Sequence, residues 1–208
     1  MTLSLARWVC GGVLALALPT LGLAQSPIPL SDGGGPRIAA VDPATMQGLP
    51  SARDYRPPDG IGFRATDFIS DNVRLTAQWF WAAQNEGRKL PTVIMAPGWG
   101  ATAASSREDA VDLARAGYRV MLFDYRGWGD SDGRVTLASP RSVTGGSAAD
   151  GAFTAQVHEL RGYIDPWEQA EDWFNALSYA AADPMVDAGR IGVLGSDLSG
   201  GHVIDLAA

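Results

Sequence analysis

Two short apolar runs, residues 92–96 and 118–123, enclose a stretch at 106–116 that carries apolar residues at helical spacing and stops at Gly117. A strand, a helix of about three turns closed by glycine, and a second apolar strand form a right-handed parallel crossover unit. The chain is therefore expected to fold as an α/β protein.

The segments around this unit read less uniformly. Residues 61–69 and 73–82 flank Ser70-Asp71-Asn72, and strict alternation puts Leu75, Ala77, Trp79 and Trp81 on one side. This predicts a β-hairpin with one buried face. Residues 134–164 are weakly patterned, with 155–163 a candidate strand. Asp165-Pro166-Trp167-Glu168 then opens a helix: aspartate suits the cap, proline the first position, and glutamate the capping-box position. Trp167, Ala170, Phe174, Leu177 and Ala181 recur at helical spacing and are expected to pack that helix on the sheet. Asp183-Pro184 ends it, residues 191–194 form a buried strand, and another helix begins at Ser199.

The first 24 residues hold Arg7 as their only charge, an apolar run at 8–18, Pro19, and the small-residue ending Gly22-Leu23-Ala24. They read as a secretory signal peptide cleaved after Ala24. The apolar run is shorter than the roughly 20 residues that span a bilayer, so no stable membrane anchor is expected. Cys10 is the one cysteine and lies in that leader, leaving an exported chain with neither a disulfide nor a thiolate metal site. Residues 25–60, rich in Pro, Gly, Ser and Asp, read as a linker, and 61–208 as one domain. The expected location is secreted or periplasmic. The net charge of −7 comes with no basic run, which argues against nucleic acid as a partner.

The chemically informative run is Gly195-Ser196-Asp197-Leu198-Ser199-Gly200-Gly201-His202, where an apolar strand turns sharply into a helix. A serine held in such a turn exposes its hydroxyl above the strand ends, with neighbouring amides aimed at what it attacks. A glycine-rich loop with an ordinary N-cap serine has the same composition, so the turn is read together with its companions.

Two further blocks precede it in order: Ala96-Pro97-Gly98-Trp99-Gly100 after one strand, and Asp124-Tyr125-Arg126-Gly127-Trp128-Gly129-Asp130-Ser131-Asp132-Gly133 after the next. Together the three blocks resemble the α/β-hydrolase superfamily, in its esterase and prolyl-peptidase-like branch, over residues 61–208. The resemblance implies a mostly parallel sheet with helices on both faces and an antiparallel hairpin at its N-terminal edge, the chain ending shortly after the nucleophile elbow. It implies Ser199 as nucleophile, the backbone N–H groups of Trp99 and Gly200 as the oxyanion hole, and no metal or organic cofactor. The implied function is exported serine hydrolysis of a small carboxylic ester through an acyl-enzyme. A peptidase of the prolyl-peptidase type and a non-catalytic binding module are the alternatives.

Residues 126–133 are expected to be a tight turn with self-satisfied polar groups. Trp99 and Trp128 either line the substrate entrance or pack the loops. Pro97-Gly98 stands where such proteins commonly have His-Gly. Asp197 is the less ordinary residue, since an ionised carboxylate about 6 Å from an oxyanion opposes it by roughly 3 kcal/mol at an effective dielectric near 20. The acid and histidine of a triad are expected beyond residue 208. His202 lies in the same helix as Ser199, and His158 lies in the unassigned segment; both are poor candidates for the base.

Overall fold

The computed structural model describes residues 49–138 and 155–208. The expected signal peptide, the linker as far as residue 48, and the middle of the weakly patterned segment lie outside the described residues.

The hairpin forms as β1 (Ile61–Ser70) and β2 (Val73–Ala82), paired antiparallel from Ile61 opposite Ala82 to Ser70 opposite Val73. Asp71 and Asn72 make its two-residue turn with φ of 45° and 66°, the left-handed geometry that matches the twist of the strands and that Asn and Asp tolerate. Leu75, Ala77, Trp79 and Trp81 do share one buried face. Thr76, Gln78 and Phe80 on the other face are also buried, which corrects the expectation of a single buried face: both sides of β2 are covered by helices.

The crossover is β3 (Leu90–Met95), a 3-10 turn at Ala103–Ser106, α1 (Arg107–Arg115) and β4 (Arg119–Phe123). Gly117, at φ 101°, closes α1, its N–H bonding to the Ala114 carbonyl. Two three-residue strands follow, β5 (Val135–Leu137) and β6 (Val157–Glu159), paired antiparallel within the stretch that carried no assigned role. Then come α2 (Pro166–Ala182), β7 (Val186–Leu194) and α3 (Leu198–Ala207). The five-stranded sheet has the order β1-β2-β4-β3-β7, with β4, β3 and β7 parallel and the hairpin antiparallel on the β4 side. α1 covers one face through Ala110, Val111 and Ala114. α2 and α3 cover the other, where Trp173 meets Phe123 edge to face at 5.2 Å and Tyr179 stacks on Phe68 at 5.3 Å.

α2 starts as its sequence requires, with the Asp165 carboxylate accepting from the N–H groups of Trp167 and Glu168 and Pro166 at the first position. Its buried stripe is not the expected one. Gln169, Asp172, Trp173, Ala176 and Ala180 face the sheet, while Trp167 is 83% exposed and Phe174 49% exposed. An ion pair sets the rotation. Asp172 is buried under the guanidinium of Arg126, with Nη2 to Oδ1 at 2.6 Å and Nε to Oδ1 at 3.0 Å, and Ser70 Oγ donates to the same oxygen at 2.7 Å. A buried charge must keep its partner, and that outweighs burial of one more aromatic ring.

The last part of the expected linker, residues 49–60, packs on the domain. Ala52 is fully buried with its N–H on the Asp130 carboxylate, Tyr55 meets Phe63 edge to face at 5.2 Å, and Arg107 Nη1 donates to the Pro50 carbonyl at 2.8 Å. No helix among the described residues is long and apolar enough to cross a membrane.

Candidate functional site

Because β3 and β7 are parallel neighbours with Met95 opposite Leu194, the loops that leave their C-terminal ends meet above the sheet. This is the end at which open α/β sheets bind ligands. One loop carries Pro97-Gly98-Trp99, and the other is the turn from Gly195 into α3. The two are joined by one hydrogen bond, from the Trp99 N–H to Asp197 Oδ2 at 2.9 Å.

The backbone of the second loop departs from the sequence reading. Ser199 is the second residue of α3 and fully buried; its Oγ accepts from the Ser196 N–H at 2.9 Å and donates to the Ser196 carbonyl at 2.8 Å. That is a hydroxyl spent on closing the first turn of a helix. The strained position lies two residues earlier, at Asp197, whose φ of 55° and ψ of −122° form an arrangement that costs a non-glycine residue about 1–3 kcal/mol. Gly195, Asp197 and Ser199 hold the first, middle and last places of a run glycine, any residue, strained residue, any residue, small residue. Gly195 confirms this register, because a Cβ there would overlap the Ser199 carbonyl. The strained residue is thus Asp197, two places before Ser199, the expected nucleophile.

The Trp99 N–H points into the turn, onto the Asp197 carboxylate. Gly200 lies in the first turn of α3 with its nitrogen against Gly195, and the amide that follows the strained residue is that of Leu198, the first N–H of α3, which has no intrahelical acceptor. Asp197 is exposed and, of its two carboxylate oxygens, only Oδ2 has a hydrogen-bond partner among the described residues. Gly98 lets the first loop come this close: a Cβ there would stand 3.2 Å from Asp197 Oδ2 and 3.3 Å from its Cβ.

The residues around the turn are structural. His202 is buried, with Nδ1 2.9 Å from the Tyr125 hydroxyl, which in turn accepts from Trp173 Nε1 at 2.8 Å. Burial holds the imidazole pKa below its ordinary value. His158 is exposed in β6. Trp128 is buried, its Nε1 donating to the Tyr163 carbonyl at 3.0 Å, whereas Trp99 is half exposed beside Asp197. The block 126–133 is the tight turn expected, closed by the Gly127 N–H on the Asp132 carbonyl, but its polar side chains find their partners outside it, Arg126 on Asp172 among them. Asp124 accepts from the Ala103 N–H at 2.6 Å, Ser131 Oγ donates to the Asp124 carbonyl at 2.7 Å, and Arg74 holds Asp132. The β6 side is stitched to it, Arg161 donating to the carbonyls of Ser131 at 2.6 Å and Gly129 at 2.7 Å. Among the described residues no cluster of three or more His, Cys, Asp or Glu could hold a metal ion.

The family model described as X-Pro dipeptidyl-peptidase (S15 family) matches residues 71–208. The quorum-quenching protein AidA of Acinetobacter baumannii (strain MDR-ZJ06) is 29% identical over 142 residues, covering 68% of this chain and 38% of that protein. An uncharacterized 31.7 kDa protein from the traX-finO intergenic region of Escherichia coli is 32% identical over 96 residues, 46% of this chain and 24% of its own length. The chain thus spans well under half the length of these relatives. Among solved structures, the hypothetical protein PA2218 from Pseudomonas aeruginosa superposes with a TM-score of 0.51 at 21% identity, covering 71% of this chain and 38% of that one. DcsB, in complex with its substrate analogue, gives 0.50 at 23% identity, covering 68% and 40%. These two likenesses confirm the fold. Since the matched span contains the crossover, the Trp99 loop and the strained turn, the chain belongs to the X-Pro dipeptidyl-peptidase (S15) family within the α/β-hydrolase superfamily.

Proposed function

We propose that the protein is an exported hydrolase of small molecules that works through a covalent intermediate on Asp197, with the amides of Trp99 and Leu198 holding the charge that develops on its carboxyl oxygen. The observation that carries this reading is the strained backbone at Asp197 together with the bond from Trp99 N–H to Oδ2. Strain of this kind persists only where the surroundings impose it, and it gathers at reactive positions. A carboxylate is an established covalent nucleophile. The leader at residues 1–24 supports export.

The test is a pair of variants in the full-length protein. Asp197→Asn keeps the shape and tolerates the left-handed turn, so it should fold as the parent does and lose activity by about a thousandfold or more, while Ser199→Ala should keep activity within about tenfold. Equal loss in both variants, with unchanged melting curves, counts against the reading.

Membership of the family favours a second reading, ester or peptide hydrolysis with Ser199 as the nucleophile. It requires the Ser199 hydroxyl to leave both of its bonds to Ser196. Covalent labelling of Ser199 by a fluorophosphonate would establish it.

A further inference from the structure

Resting on the assignment of Asp197 as nucleophile, we infer that the atom it attacks is a saturated carbon bearing a leaving group, in an epoxide or an alkyl halide, and not the carbonyl of an ester or amide.

The argument begins with what a carboxylate can do at each centre. Attack on an ester carbonyl gives a tetrahedral adduct that must expel either an alkoxide or the aspartate itself. A carboxylate, with a conjugate-acid pKa near 4, is by far the better leaving group, so the adduct reverts to substrate. At a saturated carbon no such adduct exists. The bond from Oδ1 to carbon forms as the bond from carbon to the leaving group breaks, and the electron pair departs with a halide or with the opened epoxide oxygen, which takes a proton from water. The product of this step is an alkyl ester of Asp197.

The geometry suits that step and the one after it. Oδ2 is fixed on the Trp99 N–H, while Oδ1 has no hydrogen-bond partner among the described residues and the side chain is open to solvent. One oxygen is held and the other is left to attack. Water then adds to Cγ of the ester, and the negative charge falls on Oδ2, where the Trp99 donor already sits, as an oxyanion site requires. Collapse breaks the bond from Cγ to Oδ1 and releases the alcohol, whose oxygen came from the aspartate. The carboxylate is restored with one oxygen from water, and the protons of that water pass to the alkoxide and to solvent. Trp99, whose N–H holds Oδ2, leaves its side chain half exposed, apolar surface available to an uncharged, poorly hydrated substrate.

The experiment treats the full-length protein with styrene oxide in heavy-oxygen water, and in parallel with para-nitrophenyl acetate, before quenching and mapping peptides by mass spectrometry. The expected result is that the Asp197 peptide carries either the phenyl-hydroxyethyl adduct, removable by hydroxylamine, or one heavy oxygen. Either mark should exceed that on other carboxylate peptides by about tenfold or more, be absent in Asp197→Asn and persist in Ser199→Ala. Acetylation of Asp197 without any mark from the epoxide overturns the substrate class and leaves Asp197 as nucleophile. Modification of Ser199 with Asp197 untouched by either reagent overturns the assignment beneath it. A folded protein that takes no mark from the epoxide, or takes it evenly over exposed carboxylates, overturns the inference.

Discussion

The backbone N–H of Trp99 meets the Oδ2 atom of Asp197 at 2.9 Å, joining two loops that lie 98 residues apart in the chain. The contact exists because β3 and β7 are parallel neighbours in register, so that the chain leaves both strands on the same side. It also reverses the part expected of Asp197. A carboxylate that would oppose an oxyanion beside it is instead the group that the amide donor holds.

Strain at Asp197 should be measurable as stability. Asp197→Gly relieves a φ of 55° with ψ of −122°, and after the greater unfolded-state entropy of glycine a net gain of about 1 kcal/mol is expected. Urea denaturation of the two proteins checks this, with activity lost in the more stable variant.

Gly98→Ala should impair the site more than the fold. Its Cβ would stand 3.2 Å from Asp197 Oδ2, pushing the carboxylate off the Trp99 donor, and misplacement by a fraction of an ångström to 1 Å costs about ten- to a hundredfold in rate. The melting temperature should move little, so kinetics beside a thermal melt separates the two effects.

Asp172→Ala removes the buried partner of Arg126, whose side chain is 4% exposed while that of Asp172 is fully buried. Glu168 at 3.6 Å and Asp71 at 3.8 Å stay near the guanidinium, and losing its hydrogen-bonded, buried partner should cost about 3 kcal/mol. Ser70→Ala removes a neutral hydroxyl that donates to the same carboxylate and accepts from Arg126 and Asn175, and should cost about 1–2 kcal/mol. Denaturant midpoints at constant slope would show the ranking.

Asp124 gives stability an acid-side component. Burial, partly offset by the N–H bonds from Ala103 and Asp130, raises its pKa from 3.8 to about 6. Between these values the native state holds a proton that the unfolded chain has lost, so this group makes the protein more stable as pH falls through 6, with the gain complete below 3.8. Asp124→Asn should abolish that contribution, a difference of roughly 3 kcal/mol across the window. Denaturation of both proteins at several pH values provides the comparison.

Gly195→Ala tests the register of the turn. A Cβ there would overlap the Ser199 carbonyl, so α3 cannot start where it does, and a loss of about 1–3 kcal/mol or more is expected together with loss of activity. Gly201→Ala, which meets nothing within 4 Å, should be tolerated and serves as its control.

Much of the fold was determined locally, by apolar periodicity and turn chemistry that operate within a few residues. The hairpin around Asp71-Asn72, the crossover closed by Gly117 and the cap at Asp165 each follow from neighbours in the chain. Each of the three motif blocks also follows a strand, as its neighbours in the chain indicate. Two things were decided only by tertiary structure. The rotation of α2, with Asp172 inward and Phe174 outward, depends on Arg126, a partner 46 residues away that helical spacing cannot register. The identity of the strained residue depends on where the backbone turns from β7 into α3. The sequence offers Asp197 and Ser199 within two residues of each other; a steric overlap at Gly195 and a donor arriving from the Trp99 loop choose between them. Local propensity is a short-range quantity, while ion pairing, steric exclusion and amide donation act between residues that only the folded chain brings together.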